Sequence, residues 1–132
     1  MKVRSGIDAV HIPRIASSIS KSASFIDKCY TKAEIEYALS HKAEARKLEI
    51  YAGRFAAKEA VAKALGTGIM AEGISLLDIE VIPDASGVPT LTLYGKAKEK
   101  ADALRVTSSS VSITHEKDYA AAICVLLCDE EV

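Results

Sequence analysis

Four charged residues fall where a chain would otherwise want burial. Arg54, Lys58, Glu59 and Lys63 lie in the stretch from Gly53 to Gly68, Gly-Arg-Phe-Ala-Ala-Lys-Glu-Ala-Val-Ala-Lys-Ala-Leu-Gly-Thr-Gly. The apolar residues there step along Leu48, Tyr51/Ala52, Phe55, Ala62 and Leu65, the three- and four-residue spacing of a helix. Glu59 interrupts that stripe, and a carboxylate near a core is costly unless a cation or hydrogen-bond donors satisfy it. One reading pairs it with Lys63, four residues on, as an ordinary helical ion pair. The other has Glu59 help to hold a metal ion while Arg54, Lys58 and Lys63 meet phosphates. A second carboxylate, Asp8, ends a short alternating segment, Val3 to Asp8, next to Gly6-Ile7. It could close a turn or face a ligand. His115 ends the strand-like Ser110-Val-Ser-Ile-Thr-His115, where a hydrogen-bonded structural role is the ordinary one and company would make it chemical.

The elements that must carry these groups are legible from period and punctuation. The spacing predicts a central helix over residues 43–65, stopped by Gly66. Thr31-Lys-Ala-Glu34 has the capping-box spacing that opens a helix. Pro13 suits the first turn of another, with Ile12, Ile15, Ile19, Phe25 and Ile26 as its buried side. Residues 75–82 and 90–94 read as a hairpin around Pro83-Asp-Ala-Ser-Gly87, and residues 96–104 as a short amphipathic helix. Residues 111–114 and 120–127 form a second hairpin turning near Lys117-Asp118. The expected architecture is one α+β domain over residues 1–132, a largely antiparallel sheet packed on one long helix plus shorter helices.

In order along the chain, Gly6-Ile-Asp-Ala-Val, Tyr30-Thr-Lys-Ala-Glu34, Gly53-Arg-Phe-Ala-Ala-Lys-Glu-Ala60, Lys63-Ala-Leu-Gly-Thr-Gly-Ile69, Asp78-Ile-Glu-Val, Gly87-Val-Pro and Ser112-Ile-Thr-His115 resemble the holo-[acyl-carrier-protein] synthases. These are the small single-module group of 4'-phosphopantetheinyl transferases. The match runs from residue 5 to about 125, with His11 where an acidic residue is common and Thr114 where serine is usual. The resemblance implies transfer of phosphopantetheine from coenzyme A to a serine of apo acyl carrier protein, releasing 3',5'-ADP, in support of fatty acid biosynthesis. It implies magnesium on Asp8 and Glu59, Lys63 on the pyrophosphate, and Arg54, Lys58 and the Gly66-Thr67-Gly68 turn on the nucleotide or its 3'-phosphate. His115 would bond a phosphate or take the serine proton, a role that a water oriented by Glu59 could fill instead. Glu80 is a possible helper behind the metal ligands or a solvated strand residue. A homotrimer with coenzyme A in the clefts between subunits is implied as well. A nucleotide phosphotransferase using ATP lacks its Gly-x-x-x-x-Gly-Lys-Ser/Thr loop, and a carrier-binding module without catalysis would not need Asp8, Glu59, Lys63 and His115 together.

Composition fits this and narrows the partners. Apolar residues make up 49% of the 132, aromatics only 5%, and tryptophan is absent, so the core must be built from Ala, Val, Ile and Leu. A net charge of −1 argues against non-specific nucleic-acid binding. The basic residues gather at the start, where Arg14, Lys21 and Lys28 recur every seven positions; on one helical face they would dock the acidic carrier protein. Cys124 and Cys128 lie about 13 Å apart on a strand, too far for a disulfide. The opening Met-Lys-Val-Arg-Ser has no signal-peptide run, and Tyr119 to Cys128 is too short to span a membrane. A soluble cytoplasmic protein is expected.

Overall fold

The computed structural model describes residues 1–68 and 73–129. Ile69, which ends the glycine motif, lies outside the described residues. Strand β1 (Lys2–His11) leads directly into helix α1 (Ile12–Lys21), with Pro13 in its first turn. Helices α2 (Phe25–Cys29), α3 (Lys32–Leu39) and α4 (Glu44–Ala64) follow. The hairpin β2 (Ile79–Pro83) and β3 (Pro89–Leu93) comes next, then α5 (Gly95–Ala103), β4 (Val106–Glu116) and β5 (Tyr119–Cys128). All pairing is antiparallel: one sheet in the order β1-β5-β4, and β2-β3 as a second. The α+β expectation holds, with two sheets rather than one.

Helix α4 is the axis of the molecule. It packs against β1, β5, β4 and β2 and against α1 and α3. From Ile50 onward it is enclosed on nearly every side, with Ala52, Ala56, Ala57, Ala60 and Ala62 all at 0% exposure. Small side chains let strands approach from several directions at once. Only Phe55, Glu59 and Lys63, spaced by four, together with the first two turns, retain access to solvent. This explains why Arg54 and Lys58 are buried despite their charge.

Contact between α4 and β1 is backbone to backbone at Gly6. A Cβ there would collide with the Ala60 carbonyl oxygen and come within 2.7 Å of Ala64 N and 2.9 Å of Lys63 Cβ. Even residues of β1 face the helix, so Val3 and Ile7 lie on the outer face of the sheet at 64% and 65% exposure. That is the reverse of what their alternation suggests.

Two expected boundaries differ. The basic-stripe helix breaks at residues 22–24, so Lys28 rides on α2 and the seven-residue spacing does not put it on one helix with Arg14 and Lys21. Residues 75–78 form a capped turn instead of strand, because the Asp78 carboxylate accepts from Ser75 N at 3.1 Å. The Thr31–Glu34 capping box is present, but Glu34 does more: its carboxylate also accepts from Lys58 Nζ at 2.6 Å and Val81 N at 2.8 Å. All three cysteines are free and buried.

Candidate active site

Strand β1 and helix α4, locked together at Gly6, bring Asp8 and Glu59 onto the wall of one cleft of about 390 Å³. His11, Arg14 and Ser18 line its rim and Ile15, Phe25 and Phe55 its apolar side. Lys63 Nζ donates to Asp8 Oδ1 and to the Ile7 carbonyl oxygen, each at 3.0 Å. Lys63 therefore pairs with Asp8, not in the helical pair with Glu59. Glu59 makes no hydrogen bond to a described residue. Its carboxyl is pushed above the usual carboxylate range, first by burial and then by the Asp8 charge, with Lys63 opposing. Two carboxylates that repel each other beside an open cleft suit a divalent cation. Magnesium needs one or two carboxylates and fills its remaining positions with water and substrate oxygens. Among the described residues no third histidine, cysteine or carboxylate joins the pair.

The other expected site residues go elsewhere. His115 is carried by β4, and β5 separates that strand from β1. Within a protomer it lines a different cleft from Asp8 and Glu59. It lies against the first half of α4 in a cleft of about 200 Å³, with Tyr37, Arg46, Glu49, Arg54, Gly87 and Pro89. Its Nδ1 sits 3.2 Å from Glu49 Oε2, and its Nε2 sits 3.4 Å from Arg46 Nη1. Arg54 borders this cleft, held by its Nε donating to the Val81 carbonyl at 3.2 Å and by its guanidinium 4.8 Å from the Tyr37 ring centre. Burial lowers the Arg54 pKa, which Tyr37 and Glu34 partly offset.

Lys58 does not reach either cleft. Its side chain is at 0% exposure, and Nζ is spent on Glu34 and on the Leu76 carbonyl at 2.9 Å. A phosphate contact from Lys58 is not compatible with that placement. The Gly66-Thr67-Gly68 turn is likewise committed. Gly66, at φ +85°, lets the chain reverse, and its N–H donates to Lys63 O while Thr67 N and Gly68 N both reach Ala62 O. These bonds close the helix end, leaving no turn N–H for an anion. Glu80 accepts from Thr31 Oγ1 at 2.6 Å and from Tyr94 OH at 3.1 Å, away from the carboxylate pair.

Arg14 is brought to the Asp8–Glu59 cleft, whereas Lys21 and Lys28 lie exposed beyond its rim. Sequence reasoning passed over Arg46 and Glu49, and gave Glu34 only its capping role. For the first two the available signal was an oppositely charged i, i+3 pair one to two turns before Gly53. That glycine admits β4 closely, since a Cβ would lie 2.9 Å from Ile113 Cγ2.

Residues 4–124 match the model of the 4'-phosphopantetheinyl transferase superfamily. The chain belongs to that superfamily. It is 42% identical over 127 residues to the holo-[acyl-carrier-protein] synthase of Koribacter versatilis, covering 96% of this chain and 98% of that one. The synthase of Clostridium novyi is 44% identical over 124 residues, covering 94% and 86%. Among solved structures, the synthase of Bacillus anthracis in complex with CoA (3',5'-ADP) superimposes with a TM-score of 0.78 at 36% identity, over 96% of each chain. A CoA complex from Chronobacterium ammoniagenes gives 0.84 at 31%, over 98% of this chain and all of that one. This superfamily member shares fold and sequence with these synthases over 94–98% of its length.

Proposed function

We propose that this protein transfers 4'-phosphopantetheine from coenzyme A to a serine hydroxyl of apo acyl carrier protein, as a magnesium-dependent enzyme serving fatty acid biosynthesis in the cytoplasm. The observation that carries this is the cleft wall bearing Asp8 and Glu59, with Lys63 bonded to Asp8, in a chain of this superfamily. In the reaction the serine Oγ forms a bond to the β-phosphorus, and the bond from that phosphorus to the bridging oxygen breaks. The products are the phosphodiester on serine and 3',5'-ADP. Asp8 and Glu59 would hold magnesium, which neutralises phosphate charge when bound. Lys63 uses two of its three N–H donors on Ile7 and Asp8 and has the third for a pyrophosphate oxygen. The serine proton leaves to a water oriented by Glu59. Arg14 at the rim, with Lys21 and Lys28 beyond it, meets the acidic carrier.

The two clefts lie at separate places along α4. Glu49 and Glu59 are ten residues apart, roughly 15 Å along a helix. The outer face of the three-stranded sheet exposes Val3, Ile7 and Ile123, an apolar surface that a second copy would cover. A homotrimer assembled on that face would set the His115–Arg46–Arg54 cleft of one copy beside the Asp8–Glu59 cleft of the next. Each coenzyme A then bridges two subunits, its nucleotide phosphate in one cleft and its pyrophosphate in the other.

Intact mass spectrometry of apo acyl carrier protein, incubated with this protein, coenzyme A and magnesium, tests the activity. The carrier should gain one phosphopantetheine, and excess chelator should abolish the gain. No gain from folded protein with several carriers would refute the transfer. A gain that survives the chelator would refute the metal role alone.

A further inference from the structure

The polar groups around His115 admit one arrangement of protons. Arg46 Nη1 faces the ring at Nε2, 3.4 Å away, and Glu49 Oε2 faces it at Nδ1, 3.2 Å away. A guanidinium only donates and a carboxylate only accepts. The ring therefore accepts at Nε2 and donates from Nδ1. The same carboxylate reaches Arg46, with Oε1 3.5 Å from Nη1. One side chain thus orients both the imidazole and the guanidinium. The cleft is open to a ligand, because His115 and Glu49 keep 42% and 29% of their side-chain surface exposed.

We propose that Glu49 is a positioning residue for donor recognition, and this rests on the transferase reading above. It sets the His115 ring to hold the Arg46 fork toward the space bordered by Arg54, so that the two guanidiniums together take a phosphomonoester carried by the donor. Glu49 itself does not touch the donor. Its charge opposes that of an incoming phosphate, so the sign of its removal discriminates between two roles. A carboxylate that mattered only through its charge would, when removed, let the anion bind more tightly. A carboxylate that matters by holding its neighbours would, when removed, weaken binding.

The test compares wild type, Glu49→Ala and Glu49→Gln with two donors, coenzyme A and dephospho-coenzyme A, which lacks the 3'-phosphate. Glu49→Ala should raise KM for coenzyme A about tenfold, the worth of one oriented charge-assisted hydrogen bond. Its kcat should stay within about twofold and its KM for dephospho-coenzyme A should not change, because Glu49 acts only through the phosphate cradle. Glu49→Gln keeps an acceptor for the Nδ1 proton and should recover most of the loss. Long-range proton–nitrogen spectra of the three histidines should show His115 protonated on Nδ1 in wild type and on Nε2 in Glu49→Ala. An unchanged or lowered KM for coenzyme A overturns the proposal, and so does equal weakening of both donors, which marks a merely structural role. A wild type that treats the two donors alike overturns the assignment of this cleft to the phosphomonoester. If neither donor supports transfer, the activity reading has failed, and the histidine spectra alone decide whether Glu49 holds the ring.

Discussion

Replacing Gly6 with alanine tests whether the closeness of β1 and α4 is what builds the site. The added methyl would overlap the Ala60 carbonyl oxygen and stand 2.7 Å from Ala64 N and 2.9 Å from Lys63 Cβ. The first two are backbone atoms of a helix enclosed by strands and helices, so no rotamer change relieves them. Ordinary contact is near 3.5 Å, so strand and helix must separate by at least about 1 Å, at a cost of about 3 kcal/mol or more, the upper end for overpacking. Asp8 lies two residues beyond Gly6 and moves with the strand, while Glu59 and Lys63 stay with the helix. A displacement of that size at reacting groups costs about 100-fold in rate. Urea denaturation would read the first effect, and the transfer rate at a urea-free temperature where the variant is folded would read the second. Gly53→Ala is the control, since its new methyl meets one side-chain atom, Ile113 Cγ2 at 2.9 Å, and no backbone. Its expected loss is about 1 kcal/mol. A Gly6→Ala protein with wild-type midpoint and wild-type rate would refute the claim that this contact sets the Asp8–Glu59 geometry.

Glu59→Gln should cut transfer at least about 100-fold while leaving the metal-free fold as stable or slightly more so at neutral pH. The sign follows from the raised carboxyl: its contribution to stability is fully present below the ordinary value and is lost as pH rises through the folded one. For the same reason calorimetric titration with magnesium should show affinity already falling at a pH where an unperturbed carboxylate would still be ionised. Breaking the buried Glu34–Lys58 pair from one side, as in Lys58→Met, should cost about 3–5 kcal/mol in urea denaturation, because the remaining buried charge keeps its backbone donors but has no counter-charge. Glu34→Gln combined with Lys58→Met should recover part of that; a double variant worse than the sum of the singles would contradict the pairing. Coexpression of Glu59→Gln with His115→Ala, each nearly silent alone at low coenzyme A, should restore activity to about a quarter of wild type if each site takes its two clefts from neighbouring copies. No recovery would put the whole site in one protomer.

The carboxylate pair was legible in sequence because both members break a local rule. Asp8 is a carboxylate inside a glycine-bearing strand, which runs on to His11 and does not end at Asp8 as expected, and Glu59 stands where the helical stripe asks for an apolar side chain. Lys63 was legible for its spacing, though its partner proved to be Asp8, across the strand–helix contact rather than along the helix. Lys58 was misread, and the burial of Arg54 was not foreseen, for one reason. Amphipathic analysis assumes a helix with a wet side, and α4 past Ile50 is nearly surrounded. Their charges are satisfied by a ring face, carbonyls and Glu34, all brought by elements distant in sequence. The glycine turn was recognised as a helix stop, but how many of its N–H groups the stop consumes depends on backbone angles that composition does not report. His115 stood at a strand end as expected. Which cleft that end borders is set by strand order, and β5, last in the chain, lies between the two strands concerned.

The alanines of α4 carry a consequence for how this protein can vary. A methyl group has no rotamers, so Ala52, Ala56, Ala57, Ala60 and Ala62 lose no side-chain entropy on burial and offer nothing that can readjust. A saturation library read by growth or by folding should find these chemically plain positions nearly invariant, accepting little beyond glycine or serine. Phe55 and the rim residues around Arg14 should tolerate far more. Drift in partner preference would then be confined to the rim of the cleft, while the distance between strand and helix is inherited unchanged.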